Sequence, residues 1–263
     1  LDNIHKRFQE QDQDTWEAQQ ECSKPEIGGA VFKSWSRQRY GIKWWSPDPM
    51  LGPIYQGVDF GGGTSPFAAN WYQVLVKDMY WWGIDQARTD EPQKLLKAGT
   101  RVCFDEIYKA EMGNNVLGEY VKRKEEQWKS TYPEFKVERR FVDPANKASR
   151  HDWYAIGLKT QFLCTRSIPE QIRTCNTILK EDLFVYDANN VKMFPLEAES
   201  YHYPEKRAGT EYDPEIPVDD FNHTMSNFRY TMENLKYLER RGSIIGNIPK
   251  FGDRIHKTAP KNP

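Results

Sequence analysis

The sequence predicts a mixed α/β fold, in which a central sheet is flanked by helices. Short segments rich in β-branched and aromatic residues come first, between residues 54 and 108, and a helix–strand–helix succession follows them. This order is typical of a sheet with helices packed on it. With 263 residues, 29% of them charged and 14% aromatic, the chain is long enough for a well-buried core and has the composition of a globular protein.

Turn residues separate the strands predicted in the first half of the chain. The segment 54–60 is a short strand that ends in a run of three glycines, and 67–77 is a second, strongly apolar strand. β-Branched and aromatic residues predict a further strand over 101–108, and 79–84 is another candidate. The polar stretch 85–100 predicts an extended turn.

Helices and strands alternate in the second half. The segment 115–131 has the amphipathic pattern of a helix, and 135–142 alternates as a strand. Further helices are predicted over 149–156 and 168–179, and a hairpin over 184–193. A last helix is predicted by apolar residues at a 4-3-4-3 spacing, Phe221, Met225, Phe228, Met232 and Leu235.

The charge balance excludes a general attraction to polyanions. Lys and Arg number 37 against 38 Asp and Glu, so a nucleic-acid partner would have to be held by a local patch. The charged run 122–126 mixes bases with acids and predicts a solvated helix face. The sequence contains neither a P-loop nor a Gly-x-Ser-x-Gly elbow, which argues against those nucleotide and hydrolase sites. No apolar run approaches the roughly eighteen residues of a membrane span.

Acidic residues follow predicted strands or open a predicted helix. Asp59 and Asp143 each come directly after an apolar strand, and Asp219 and Asp220 open the last helix with His223 one turn on. A carboxylate at the end of a buried strand is costly unless it is paired or metal-bound. Several such ends at one sheet edge would form an oxygen-rich site for Mg²⁺ or Mn²⁺. Two such ions can clamp the attacking and leaving oxygens of a phosphoryl displacement.

The same residues also have purely structural interpretations. An Asp at a strand–turn junction is commonly a turn former, and Asp219 or Asp220 before a helix is an N-cap by default. His223 in a first helical turn usually faces solvent, and Glu106 alternates outward as a surface carboxylate. The spacing alone leaves both interpretations open.

Five short motifs follow one another along the chain. They are Gly57-Val58-Asp59-Phe60-Gly61 with Ser65-Pro66-Phe67-Ala68, Phe104-Asp105-Glu106-Ile107-Tyr108, Val142-Asp143-Pro144-Ala145, Leu196-Glu197-Ala198-Glu199-Ser200-Tyr201, and Asp219-Asp220-Phe221-Asn222-His223-Thr224-Met225-Ser226-Asn227-Phe228-Arg229-Tyr230. In this order they resemble the C-terminal nuclease part of tailed-bacteriophage large terminase subunits. The resemblance covers nearly the whole chain, since Lys24 to Phe32 looks like the tail of an ATPase motor domain with its linker.

The resemblance implies a ribonuclease H-like (retroviral-integrase-like) fold and a metal-dependent DNA endonuclease. Such an enzyme cuts concatemeric viral DNA at the initiation and termination of genome packaging, with Mg²⁺ or Mn²⁺ and two ions in the site. The implied partners are double-stranded DNA and, in the full-length motor, the terminase small subunit and the portal protein, in the host cytoplasm without a membrane. The implied division is a motor remnant and linker over 1–50, a nuclease domain over 51–241 and a basic tail over 242–263.

Carried over by position, the resemblance makes Asp59 the first metal ligand, bridging both ions, and Asp143 the second. Glu106 is a lesser candidate for a ligand. Lys147 and Arg150, just past the second aspartate, are the candidate contacts to the DNA backbone.

The chain departs from the family pattern at Ser226, where many relatives have an aspartate. Asp219 or Asp220 would then supply the third carboxylate, with Asp220 favoured, and His223 would orient a water or accept its proton. Alternatively, the serine weakens one metal site, or the site is crippled. The competing functions are therefore a non-catalytic module that contacts DNA or the portal through a decayed site, and another ribonuclease H-like nuclease or transposase.

Overall fold

The fold is taken from a computed structural model, which describes residues 29–61, 65–86, 91–110, 112–143, 145–164, 166–204, 216–219 and 222–242. Its helices are α1 (Arg37–Tyr40), α2 (Asn114–Thr131), α3 (Lys147–Ala155), α4 (Ile168–Lys180), α5 (Met193–Ser200) and α6 (His223–Arg240). Its strands are β1 (Gly41–Ile42), β2 (Ile54–Asp59), β3 (Phe67–Val74), β4 (Met79–Trp81), β5 (Lys94–Leu96), β6 (Arg101–Lys109), β7 (Val137–Val142) and β8 (Phe184–Asp187). None of these helices is long and apolar enough to cross a membrane.

Six of the described strands form one mixed sheet, in the order β1-β8-β6-β3-β2-β7. β2, β3 and β6 are antiparallel neighbours, whereas β7 runs parallel to β2, and β8 runs parallel to both β6 and β1. This arrangement confirms the predicted α/β fold with a mixed central sheet. For function, the consequence is that the C-terminal ends of β2, β6 and β7 all lie at the same end of the sheet, called its edge below.

The sheet has a separate apolar core on each face, because successive strand residues point to opposite sides. Tyr72 and Phe141 belong to the core that contains residues of α4, α5 and α6. Their neighbours Trp71 and Val142 belong to the core that contains residues of α2 and α3. The sheet is therefore the middle layer of three.

The prediction of a hairpin over 184–193 is wrong. β8 ends at Asp187, and the chain then turns into α5. The Asp187 carboxylate closes this turn by accepting the backbone N–H groups of Trp45 and Asn189, both at 2.8 Å. The extended turn predicted over 85–100 is likewise wrong in part, since β5 lies within it and pairs with β4.

Residues 29–50 are packed onto the rest of the chain. Val31 and Phe32 are each 3% exposed, and β1 pairs with β8 at the end of the main sheet. The division of the chain at residue 50 stays a prediction. Most of the tail predicted over 242–263 lies outside the described residues, as do residues 1–28.

Candidate metal and nuclease site

The strand ends that carry Asp59 and Asp143 are neighbours in the sheet. β2 and β7 are parallel, and Val58 lies opposite Val142. Asp59 is the last residue of β2, and Asp143 directly follows β7. Neighbouring strands lie about 4.8 Å apart, so the two aspartates leave the same edge side by side. Burial raises the pKa of Tyr230 in α6, and the charges of Asp59 and Asp143 raise it further.

His223, the first residue of α6, contacts Asp59 directly. Its Nδ1 lies 3.1 Å from Asp59 Oδ2, and its Nε2 lies 3.1 Å from Ser65 Oγ. The side chains of His223 and Asp59 are only 16% and 15% exposed. Burial acts to lower the pKa of His223, but the hydrogen bond to Asp59 and the charges of Asp59, Glu197 and Asp219 together outweigh burial, so the pKa is raised above its ordinary value. The sequence-based alternative of a solvent-facing histidine is wrong.

Both aspartates also stabilise the turns that follow them. Asp143 Oδ1 accepts the backbone N–H of Ala145 at 2.7 Å, and Asp59 Oδ1 lies 3.5 Å from the N–H of Gly61. The hydrogen bonds of the described residues leave Asp143 Oδ2 without a partner. Asp143 can thus be a turn former and a metal ligand at once through its two oxygens, whereas Asp59 already contacts Gly61 with one oxygen and His223 with the other, and would bind a metal through its remaining lone pairs.

The third carboxylate is not defined by the described residues. Asp219 is exposed, and its Oδ1 accepts a hydrogen bond from Asn222 Nδ2 at 3.0 Å. Asp220, the favoured candidate, lies outside the described part of the chain. Within that part, no three His, Cys, Asp or Glu residues are grouped closely enough to hold a metal ion. The two strand-end carboxylates nevertheless have the oxygen chemistry that Mg²⁺ and Mn²⁺ prefer.

Glu106 is placed where it caps α5. Its carboxylate accepts the backbone N–H groups of Lys192, Met193 and Phe194, the last two at 2.6 and 3.2 Å. Burial raises the pKa of Glu106, and these hydrogen bonds act in the opposite direction. The interpretation of Glu106 as a surface carboxylate is therefore wrong, and its oxygens are engaged by backbone donors.

Glu197 is a site residue to which sequence reasoning gave no role. It is 2% exposed, and its Oε2 accepts the backbone N–H of Thr224 at 2.6 Å and the Thr224 hydroxyl at 2.5 Å. It therefore caps α6 beside His223, the role that the sequence predicted for Asp219 or Asp220. No local signal could have revealed this contact, because the partners are 27 positions apart.

The remaining candidates lie on α6 and α3. Ser226 Oγ accepts a hydrogen bond from Arg229 Nη2 at 3.0 Å, and Arg229 is 7% exposed. Lys147 is exposed at the start of α3. The guanidinium of Arg150 lies 4.6 Å from the ring centroid of Phe162, which holds it near the turn after β7.

The mixed sheet and the helices on both of its faces define an α/β domain, and several solved structures share this fold. The nuclease domain of the P22 large terminase matches 85% of this chain and 98% of its own length, with 15% identity and a TM-score of 0.52. The large terminase of a thermophilic bacteriophage matches 79% of this chain with 16% identity and a TM-score of 0.56. The fold is therefore that of the nuclease domain of phage large terminases.

Further comparisons gave the following results. The nuclease domain of the SPP1 large terminase, with bound Mn, has 20% identity over 70% of this chain and 86% of its own, with a TM-score of 0.45. No protein-family profile matches the sequence, and neither does any curated protein. The chain spans 45% of the large terminase of the thermophilic bacteriophage, which is less than half of that protein.

Proposed function

We propose that this chain is a metal-dependent endonuclease that cuts double-stranded viral DNA during genome packaging. The observation that carries the proposal is that Asp59 and Asp143 lie at adjacent parallel strand ends, with His223 of α6 in contact with Asp59. The likeness to large terminase nuclease domains supports the same function. Double-stranded DNA would be the substrate, and the small subunit and portal protein would be partners in the full-length motor in the host cytoplasm.

Asp59 and Asp143 would hold Mg²⁺ or Mn²⁺, with a third carboxylate from Asp219 or Asp220, and two ions in the site. A divalent ion bound there lowers the pKa of a water molecule and stabilises the charge on the leaving oxygen. The protein's own part is to hold both carboxylates at the same end of the sheet, on neighbouring strands. The flanking turns contribute to this, because they fix one oxygen of Asp143 on the Ala145 N–H.

His223 would orient Asp59 and hold a proton between Asp59 and Ser65. The raised pKa of His223 favours its charged form, which suits electrostatic support better than removal of a proton from water. Lys147 and Arg150, on the helix after Asp143, would contact the DNA backbone.

Plasmid cleavage tests this function. Wild type is compared with Asp59→Asn and Asp143→Asn in Mg²⁺, Mn²⁺ and EDTA. We expect metal-dependent cutting by wild type and a loss in both variants greater than the roughly 10–100-fold that loss of an outer-shell partner costs. Asp182→Asn is the matched control, because Asp182 is an exposed carboxylate paired with Arg39 at 2.7 Å. Its φ of 55° is also one that asparagine tolerates.

The outcomes separate the competing functions. If wild type binds DNA but leaves it uncut with every metal, the non-catalytic module is supported, and Ser226→Asp then tests whether the site has decayed. If Asp182→Asn loses as much activity as Asp59→Asn, the proposed site is wrong. Cutting that requires a particular DNA junction would favour another ribonuclease H-like nuclease or transposase.

A further inference from the structure

A basic groove lies at the same edge of the sheet as Asp59, on the side covered by α2. Lys109 is the last residue of β6, and its Nζ lies 4.9 Å from the ring centroid of Tyr120. The guanidinium of Arg123 lies 4.6 Å from the same centroid. These three residues line a groove of about 400 Å³, which we name the Lys109 groove.

Three cations line the Lys109 groove, and two of them, Lys109 and Arg123, have no carboxylate partner among the described residues, whereas Lys124 is paired with Asp105 at 2.9 Å. Their neighbour Lys122 is likewise paired with Glu119 at 2.9 Å. Glu106 also lines the groove, but its oxygens accept backbone N–H groups at the N-terminus of α5. Two like charges gathered around one aromatic ring repel each other, so the arrangement favours an anionic ligand.

A second cavity shares Lys109 with the Lys109 groove and includes a neighbour of His223 in its lining. This cavity of about 270 Å³ is lined by Lys109, Asn114, Ser149 and Ser65, among others. Ser65 is the residue that contacts His223 Nε2, and Ser149 precedes the proposed DNA contact in α3. Side chains that are positively charged or can form hydrogen bonds therefore lie near this end of the sheet on both α3 and α2.

The register of the sheet gives the distance between this groove and the site. Asp59 lies opposite Ala68, and Ala68 lies opposite Tyr108, the neighbour of Lys109. Two interstrand steps of about 4.8 Å separate Asp59 from Tyr108 by about 10 Å. Phosphates recur about every 3.4 Å of helix axis along each DNA strand. A duplex cut at Asp59 therefore has further phosphates at about the distance of Tyr108, and Lys109 is the next residue along β6.

We propose that the Lys109 groove binds the sugar–phosphate backbone of duplex DNA beside the cut site, with Lys109 and Arg123 as phosphate contacts. The proposal rests on the proposed nuclease function and names how that site holds its substrate. It replaces the prediction that the charged run 122–126 is only a solvated face. That prediction still describes Lys122, whose charge is neutralised by Glu119.

The test measures how DNA affinity depends on salt. Lys109→Gln and Arg123→Gln are made in the Asp59→Asn background, so that no cutting competes, and a fluorescein-labelled DNA duplex is titrated by anisotropy between about 50 and 200 mM KCl. Loss of one phosphate contact reduces the log–log slope by about 0.9. If the variant and its parent bind equally at 1 M salt, this smaller slope makes the variant about eightfold weaker in binding at 0.1 M salt. Lys122→Gln, which removes one charge from the same helix, should leave the slope unchanged.

Each outcome decides between the proposals. Unchanged slopes for both groove variants, or an equal reduction for Lys122→Gln, would overturn the Lys109 groove as a DNA contact while leaving the nuclease proposal intact. A wild-type chain that binds the duplex through the groove but never cuts it would overturn the nuclease proposal alone.

Discussion

At the scale of single residues, His223 joins α6 to β2 and to the turn before β3. Its Nδ1 carries the proton in the contact with Asp59, because an ionised carboxylate can only accept. Its Nε2 either accepts from the Ser65 hydroxyl or, in the charged ring, donates to it. Burial lowers the pKa of His223, and the hydrogen bond to Asp59 and the charges of Asp59, Glu197 and Asp219 together raise it by more.

Glu197 positions His223 by binding the first turn of α6, in which His223 is the first residue. The first N–H groups of a helix have no partner within it, and here a buried carboxylate accepts the N–H of Thr224 and, at 3.4 Å, that of Met225. A negative charge at this end also interacts favourably with the helix dipole.

Replacing Glu197 should therefore destabilise the protein more than replacing a surface glutamate. Glu197→Gln keeps one acceptor oxygen but loses the charge, and we expect the free energy of unfolding in urea to fall by about 1–3 kcal/mol. Glu199→Gln is the control, since Glu199 forms a surface ion pair with Arg37 at 2.6 Å and should cost less than about 1 kcal/mol. Equal losses in the two variants would contradict the capping role of Glu197.

At the scale of elements, α6 lies unusually close to β2, and this proximity places His223 beside Asp59. Gly57 makes the approach possible, because a Cβ there would collide with Thr231 Oγ1 and lie 3.1 Å from Asn227 Oδ1. Asn227 is fixed in turn by Asn70 and by Tyr72, whose hydroxyl donates to Asn227 Oδ1 at 2.9 Å.

Adding a methyl group at Gly57 should push α6 away from the sheet. We expect Gly57→Ala to lower the free energy of unfolding by about 1–3 kcal/mol, the usual cost of overpacking, and to reduce DNA cutting because His223 moves with the helix. Gly113→Ala is the matched control, since nothing lies within 4 Å of its Cβ and its φ of −70° suits alanine.

A second substitution distinguishes the collision from a general loss of stability. Thr231 Oγ1 is buried and has no hydrogen-bond partner among the described residues. Thr231→Ala removes the atom that a Cβ at Gly57 would meet, so the double variant should be more stable than the sum of the single changes predicts. Strict additivity in urea unfolding would show that the helix is not held off by this contact.

The elements that the sequence predicted well are those with local signals. The helix predicted over 115–131 and the strand over 101–108 agree with α2 and β6 within one residue at each end. The strand ends at Asp59 and Asp143 were also predictable, because turn residues follow them. Their meeting was not predictable from these signals, because it depends on β7 pairing with β2 rather than with another strand.

Long-range capping accounts for much of what the sequence did not predict. Glu197 caps α6 from 27 positions away, and Glu106 caps α5 from 86 or more positions away. No periodicity or spacing reports such pairs. The hairpin predicted over 184–193 was wrong for a related reason. The turn after β8 is held by a hydrogen bond from the Trp45 N–H to Asp187, and Trp45 precedes Asp187 by 142 positions.

At the scale of the whole molecule, residues 29–50 contribute to both cores of the sheet. Val31 and Phe32 pack in the core of the α4, α5 and α6 side. Ile42 and Trp45 pack in the core of the α2 and α3 side. All four side chains are at most 3% exposed. A segment that fills both faces of a sheet is expected to fold together with it, whereas the resemblance implies a linker up to residue 50, and the two expectations differ in what removal of the segment should do.

Removing this segment should therefore abolish cooperative folding. Truncating one large buried side chain costs about 2–5 kcal/mol, and four of them together reach the total of about 5–15 kcal/mol that stabilises a typical domain. We expect a chain that begins at residue 51 to show no cooperative urea transition by tryptophan fluorescence. A chain that begins at residue 29 keeps every one of these contacts and is the control. A cooperative transition with an unchanged midpoint in the shorter chain would instead establish residues 1–50 as a linker outside the nuclease domain.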